Sequence, residues 1–143
     1  MGPYLDTGAL AKWYLNEPFS EAFEAFIQDQ PVAAISRLTV VEFRCLLARR
    51  RRAGEITKTI ESRVYATFEK DVDAGSLQVY PVLDEHLIAA LGLLASLGRY
   101  PLRTLDALHL AIAQGIHCRV LATADKTMAA AGKAAGLGVT RFF

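Results

Sequence analysis

Four acidic residues, Asp6, Glu42, Asp106 and Asp125, sit where short apolar runs hand over to amphipathic ones. Asp6 directly follows PYL. Glu42 lies one to two turns into the segment that follows VAAIS. Asp106 falls in the first turn of TLDALHLAIAQ, and Asp125 follows RVLAT. In an open parallel sheet, functional groups gather beyond the carboxyl ends of the strands, where strands pass into helices. If these elements lie side by side, the four carboxylates share one rim.

Each acid also has an everyday explanation. Asp6 and Asp125 suit helix N-caps, which favour Asp. Glu42 fits a capping box with Thr39, since TVVE has the required spacing. Asp106 is favourable charge in a first turn. Against these readings, Glu42 shares a helical stripe with Leu38 and Cys45, and Asp106 lies among Leu105, Leu108 and Leu110. A carboxylate turned toward protein is expensive unless paired or protonated. Several together repel one another unless a hard cation neutralises them. An all-oxygen set suits Mg²⁺ or Mn²⁺, and nothing here has the Cys/His spacing of zinc. Such an ion polarises a phosphoryl oxygen and acidifies water, while a spare carboxylate positions the attacking water or acts as base. The chemistry that follows is metal-dependent phosphodiester hydrolysis, with one ion or two.

The elements that must position these acids follow from the hydrophobic pattern. Short strands are predicted over 3–5, 32–36, 77–82, 119–123 and 139–143. Helices are predicted over 7–15, 20–30, 37–53, 55–74, 84–97, 104–114 and 126–136, with Ser20 and Asp84 as caps and Gly54, Gly75 and Gly98 as stops. Alternating strands and helices imply a mainly parallel sheet of about five strands covered on both faces. No repeat or linker interrupts residues 1–143, which read as one domain.

Composition narrows the classes. With 52% hydrophobic and 22% charged residues, disorder is excluded. No apolar stretch reaches the ~20 residues of a membrane span, and no secretory pattern opens the chain, so a cytoplasmic protein without membrane association is expected. Cys45 and Cys118 are far apart and read as buried free thiols. A net charge of +1 excludes a globally basic nucleic-acid coat, so any polyanion must be met by a local patch.

Taken in order, YLDTGAL, TVVEF, LRTLDALHLA and LATADK resemble the PIN-domain ribonucleases, most closely the toxins of bacterial VapBC toxin–antitoxin pairs. The resemblance runs from residue 4 to the C-terminus. It implies a three-layer α/β/α sandwich and Mg²⁺- or Mn²⁺-dependent endonucleolytic cleavage of RNA. Carried across by motif, Asp6 and Asp106 are the principal metal ligands, Glu42 completes the cluster, and Asp125 orients a water or a second ion. Thr7 and Thr123 match the family's bracing hydroxyls. A cognate antitoxin and a homodimer are the implied partners. A second acid near Asp125, present in some relatives, has no counterpart here. A PIN ribonuclease of RNA processing, outside toxin–antitoxin pairs, is the alternative within the family.

Other residues carry weaker signals. Arg49 to Arg52 spread through ~300° of a helix and cannot all face one partner. They suit a helix C-terminus, with phosphate or antitoxin contact secondary. Lys12 and Arg103, near Asp6 and Asp106 in sequence, are the preferred RNA contacts. His109 reads as a packing histidine, and Trp13, Tyr14, Phe23, Phe26 and Phe68 as core or dimer surface. Outside the family, a receiver-like Mg²⁺-binding signalling domain also uses acids at strand ends. It needs paired acids after the first strand, where only Asp6 is present.

Overall fold

The computed structural model describes residues 1–143. Five strands form one sheet: β1 (Tyr4–Leu5), β2 (Ala33–Ser36), β3 (Leu77–Tyr80), β4 (Val120–Thr123) and β5 (Gly138–Arg141). Their order is β3-β2-β1-β4-β5, and every neighbouring pair is parallel. The expected mainly parallel sheet is therefore wholly parallel. Seven helices connect it: α1 (Thr7–Tyr14), α2 (Ser20–Gln28), α3 (Arg37–Arg52), α4 (Lys58–Asp73), α5 (Asp84–Ser96), α6 (Thr104–Gly115) and α7 (Lys126–Ala134).

Strand alternation sends successive residues to opposite faces. Leu5, Ile35 and Ala122 face a core that also holds Leu10, Phe23, Phe43, Leu47, Phe68 and Phe142. Tyr4, Ala34 and Leu121 face a second core with Leu110, Ile112 and Met128. Helices α1 to α4 supply the first layer, while α6 and α7 pack on the other side, with α5 against α6. This is the three-layer α/β/α arrangement. The predicted core aromatics belong to it: Trp13, Tyr14 and Phe26 pack against the cluster around Phe23 and Phe68. Phe142, just beyond the edge strand, packs at a tilt against Phe23 and Phe26.

Local chemistry moves some expected boundaries. Helix α4 begins at Lys58 because Thr57 caps it, its hydroxyl accepting from the Ile60 amide. Ser20 is not the cap of α2. Phe19 is, in the left-handed region, while Ser20 Oγ accepts from the Glu17 amide and donates to the Leu15 carbonyl. Asp84 is likewise the first residue of α5 and not its cap. The Leu83 amide donates to His86 Nδ1, which closes that end. Cys118 is buried as expected, but Cys45 is exposed on α3. No helix is long and apolar enough to cross a membrane.

Candidate active site

Sheet order, with α6 packed on the sheet beside it, brings the four acids together. β1 lies between β2 and β4, so the residues following these three strands are neighbours at one edge of the sheet. Asp6, Glu42, Asp106 and Asp125 line a single open cavity of about 460 Å³, joined by Thr7, His109 and Arg49. Gly8 allows its walls to close. A Cβ there would stand 3.0 Å from Ala124 Cβ, so a larger residue would push α1 away from the turn that carries Asp125.

Asp6 is 6% exposed. It caps α1, Oδ1 accepting from the Ala9 amide at 2.8 Å, while Oδ2 accepts a short hydrogen bond from Thr123 Oγ1. Burial pushes its carboxyl above the usual range, and the hydrogen bonds from Thr123 and Ala9 oppose that only partly. Thr123 does a second job: its oxygen accepts from the Asp125 amide at 3.0 Å. One hydroxyl therefore ties the first acid to the last, which gives the expected bracing residue a concrete geometry. Asp125 caps α7, with Oδ1 accepting from the Met128 amide at 2.7 Å.

The expected Thr39–Glu42 capping box does not form. Ser36 caps α3 and pairs reciprocally with Thr39, one turn earlier. Glu42 is thereby released to face the cavity. Its Oε1 accepts from Thr7 Oγ1 at 2.8 Å and makes a short hydrogen bond with His109 Nε2. Partial burial pushes this carboxyl up, but His109, Thr7 and the Arg49 charge outweigh burial and hold it below the ordinary value. Asp106 Oδ2 accepts from the Arg103 amide at 3.1 Å, in the first turn of α6.

The capping readings of Asp6 and Asp125 thus hold, and Asp106 lies in the first turn of α6 as expected, but all three face the same cavity as Glu42. No group of three His, Cys, Asp or Glu side chains is drawn close enough to grip one ion directly. The donor chemistry nevertheless fits a hard divalent cation. Glu42 Oε2, Asp106 Oδ1 and Asp125 Oδ2 have no protein partner, and Mg²⁺ characteristically keeps several waters while using only one or two carboxylates.

The cations differ from expectation. Lys12 does not face the cavity, because Glu17 binds its Nζ at 3.1 Å. Arg103 borders an adjoining hollow with Asp106 and Asp125. Within the arginine run the directions diverge. Arg49 enters the acid cavity, Arg50 pairs with Glu17 and Glu55, and Arg51 pairs with Glu61. His109 is buried, as a packing residue would be, but it is also bonded through both ring nitrogens, Nδ1 to Tyr4 at 2.7 Å and Nε2 to Glu42. No local spacing signals these partners, which lie 105 and 67 residues away in sequence.

A wholly parallel α/β sandwich with an acid-lined cavity at the carboxyl ends of its central strands defines a class of proteins that work at a strand–helix rim. The PIN domain family model matches residues 4–134, and the chain belongs to that family. Solved structures agree on the fold. FitAcB from Neisseria gonorrhoeae is 19% identical, with a TM-score of 0.72 over 95% of this chain and 94% of the other. VapC20 of Mycobacterium tuberculosis, described as a sarcin–ricin loop cleaving toxin, is 18% identical, with a TM-score of 0.71 over 90% and 94%. VapBC2 from Rickettsia felis, bound to a promoter DNA fragment, is 13% identical, with a TM-score of 0.68 over 98% of each chain. A search of curated protein sequences gives no match.

Proposed function

We propose that this chain is a Mg²⁺- or Mn²⁺-dependent endoribonuclease, acting as one domain and as the toxin of a type II toxin–antitoxin pair. The observation that carries the reading is the convergence of Asp6, Glu42, Asp106 and Asp125 on one open cavity, with the most buried of them lacking any cationic partner. The toxins and toxin–antitoxin complexes among proteins of the same fold support the biological role.

In this mechanism Asp6 and Asp106 would hold the ion, Glu42 would complete its surroundings, and Asp125 would orient a water. When bound, one ion or two would supply Lewis acidity toward a phosphoryl oxygen and acidify a water. Thr123 keeps Asp6 and Asp125 at a fixed separation, and Thr7 holds Glu42. Arg49 meets phosphate charge within the cavity and Arg103 meets it alongside. Across α7, Lys126, Lys133 and Arg141 line a cleft of about 570 Å³ beside Phe143, and none of the three is in a salt bridge. This is the local basic patch that a net charge of +1 requires for RNA.

Two protein partners complete the reading. A cognate antitoxin occupies the acid cavity and restrains the enzyme. A second copy of the chain covers α5, where Leu87, Ile88, Leu91 and Leu94 form an exposed apolar stripe. The site of action is the cytoplasm.

The test is RNA incubated with purified protein plus Mg²⁺ or Mn²⁺, alongside a chelator control and Asp6→Asn. Cleavage is expected only with the ion and the intact acid. Cleavage indifferent to both would defeat the mechanism.

A further inference from the structure

Behind the acid cavity, a file of polar side chains links four elements, β1, β2, α3 and α6. Tyr4, on β1, is fully buried, yet its hydroxyl is surrounded by polar atoms. Ser36 Oγ lies at 2.9 Å, Thr39 Oγ1 at 3.4 Å and His109 Nδ1 at 2.7 Å. The opposite ring nitrogen, Nε2, meets Glu42 Oε1. A buried phenol hydroxyl carries a desolvation cost that phenylalanine would avoid, so its hydrogen bonds must offset that cost.

The two ends of this file set the direction of its hydrogen bonds. At one end, Ser36 Oγ accepts from the Thr39 amide at 3.4 Å and Thr39 Oγ1 accepts from the Ser36 amide at 3.2 Å. Amides only donate, so these hydroxyls are free to pass their own protons forward. At the other end stands a carboxylate, which in its ionised form only accepts. The nitrogen facing it must therefore carry the proton. Tyr4, receiving from the Ser36–Thr39 side, donates to Nδ1, the nearest of its three partners. Both hydrogen bonds to Glu42 fall on Oε1, leaving Oε2 without a protein partner.

We infer that Tyr4 and His109 are a positioning pair: Tyr4 fixes the imidazole with Nε2–H aimed at Glu42, and His109 holds that carboxylate so that Oε2 is presented to the cavity. The pair acts through Glu42 and not on the substrate directly. Its importance for turnover rests on the proposed reading of the cavity as a nuclease site, but the positioning itself does not. Outer partners of this kind set ligand orientation, and their loss typically weakens metal affinity or activity by about 10–100-fold.

The test compares full-length wild type with Tyr4→Phe, His109→Gln and His109→Phe. In the metal-free wild type, imidazole-selective ¹H–¹⁵N spectra are expected to show a strongly downfield Nε2 proton on His109. That signal should vanish in His109→Phe, move in Glu42→Gln and broaden in Tyr4→Phe. Mn²⁺ affinity, read by paramagnetic resonance, should fall about tenfold in His109→Phe, less in Tyr4→Phe, and recover in His109→Gln, which keeps an N–H donor. In RNA cleavage kcat should follow the same order while KM holds. An absent Nε2 proton, or native Mn²⁺ affinity in a correctly folded His109→Phe, overturns the pair. If spectra and Mn²⁺ binding behave as stated but the wild type leaves RNA intact, the positioning stands and the nuclease reading falls.

Discussion

Asp6 and Glu61 are almost equally buried, at 6% and 5% exposure, yet the protein treats them in opposite ways. Glu61, on α4, is clasped by Arg44 at 3.1 Å and Arg51 at 2.8 Å, both from α3. Burial raises its carboxyl, but the two guanidiniums overcome that and hold it below the ordinary value. Asp6 has the Thr123 hydroxyl, backbone amides and the nearby His109 but no guanidinium or ammonium, and burial leaves its carboxyl raised. One acid has its counter-charge built into the chain and serves to hold α3 on α4. The other lines an open cavity with no ammonium or guanidinium paired to it. Burial alone does not single out a candidate site acid; burial without a built-in counter-charge does.

The sharpest way to break this contrast is to neutralise each acid. Asp6→Asn should reduce ion-dependent RNA cleavage about 10³-fold or more while the fold survives, since the asparagine is spared the cost of a buried charge. Glu61→Gln should do the reverse, lowering the melting temperature by leaving two guanidiniums without their carboxylate, with the folded fraction still cleaving RNA. Thermal melts and single-turnover assays on both variants would separate the effects; a matching loss of activity in Glu61→Gln would erase the distinction.

Added ion offers the next test. Mn²⁺ at a hundredfold excess over Kd should stabilise the wild type by about 2.7 kcal/mol and Asp6→Asn much less. Calorimetric scans with and without Mn²⁺ measure this directly, and equal stabilisation of both proteins would remove Asp6 from the ion site.

Acidity should separate the two residues by sign. Glu61 has a lowered carboxyl, so its contribution is complete above the ordinary value of 4.5 and is lost as pH falls through the lower folded value. For Asp6 the carboxyl is raised above 3.8, so stability declines as pH rises from there through the folded value. Denaturant melts across the acid range should therefore show a shallower acid loss in Glu61→Gln than in wild type. In Asp6→Asn the gain over wild type should grow toward neutrality.

The smallest expected effect is at Thr7. Thr7→Val removes one donor to Glu42, worth about 1 kcal/mol, so kcat should fall roughly fivefold without loss of fold. Unchanged kcat would leave His109 as the only brace that matters.

Sequence pattern reveals one half of the Asp6–Glu61 contrast and hides the other. Asp6 is visible because a strand, an acid and a helix start are contiguous, and Asp125 repeats that local logic, while Glu42 and Asp106 stand out only as acids on otherwise apolar helix stretches. Strand–helix alternation similarly exposes the parallel sheet, since both periods are local. What stays hidden depends on pairs far apart in the chain. Lys12 is near Asp6 in sequence, but Glu17 holds it. Arg49 to Arg52 look alike as letters, and only the packing of α3 against α4 sends one to the cavity and another to Glu61. Tyr4 and His109 pass for core residues until the sheet sets them side by side. Capping also competes locally. Ser36 and Thr39 satisfy each other, which no spacing rule distinguishes from a Thr39–Glu42 box.

The central place of β1 has a consequence during synthesis. This two-residue strand emerges first, but its pairing with β4 and the hydroxyl that ties Asp6 to the last acid lie 117 residues downstream. A partly made chain on the ribosome lacks the wall that carries Asp125 and holds Asp6 without its brace. If the cavity cuts RNA, the ribosome building this protein is protected from it until most of the chain has been translated. The safeguard is topological and needs no inhibitor.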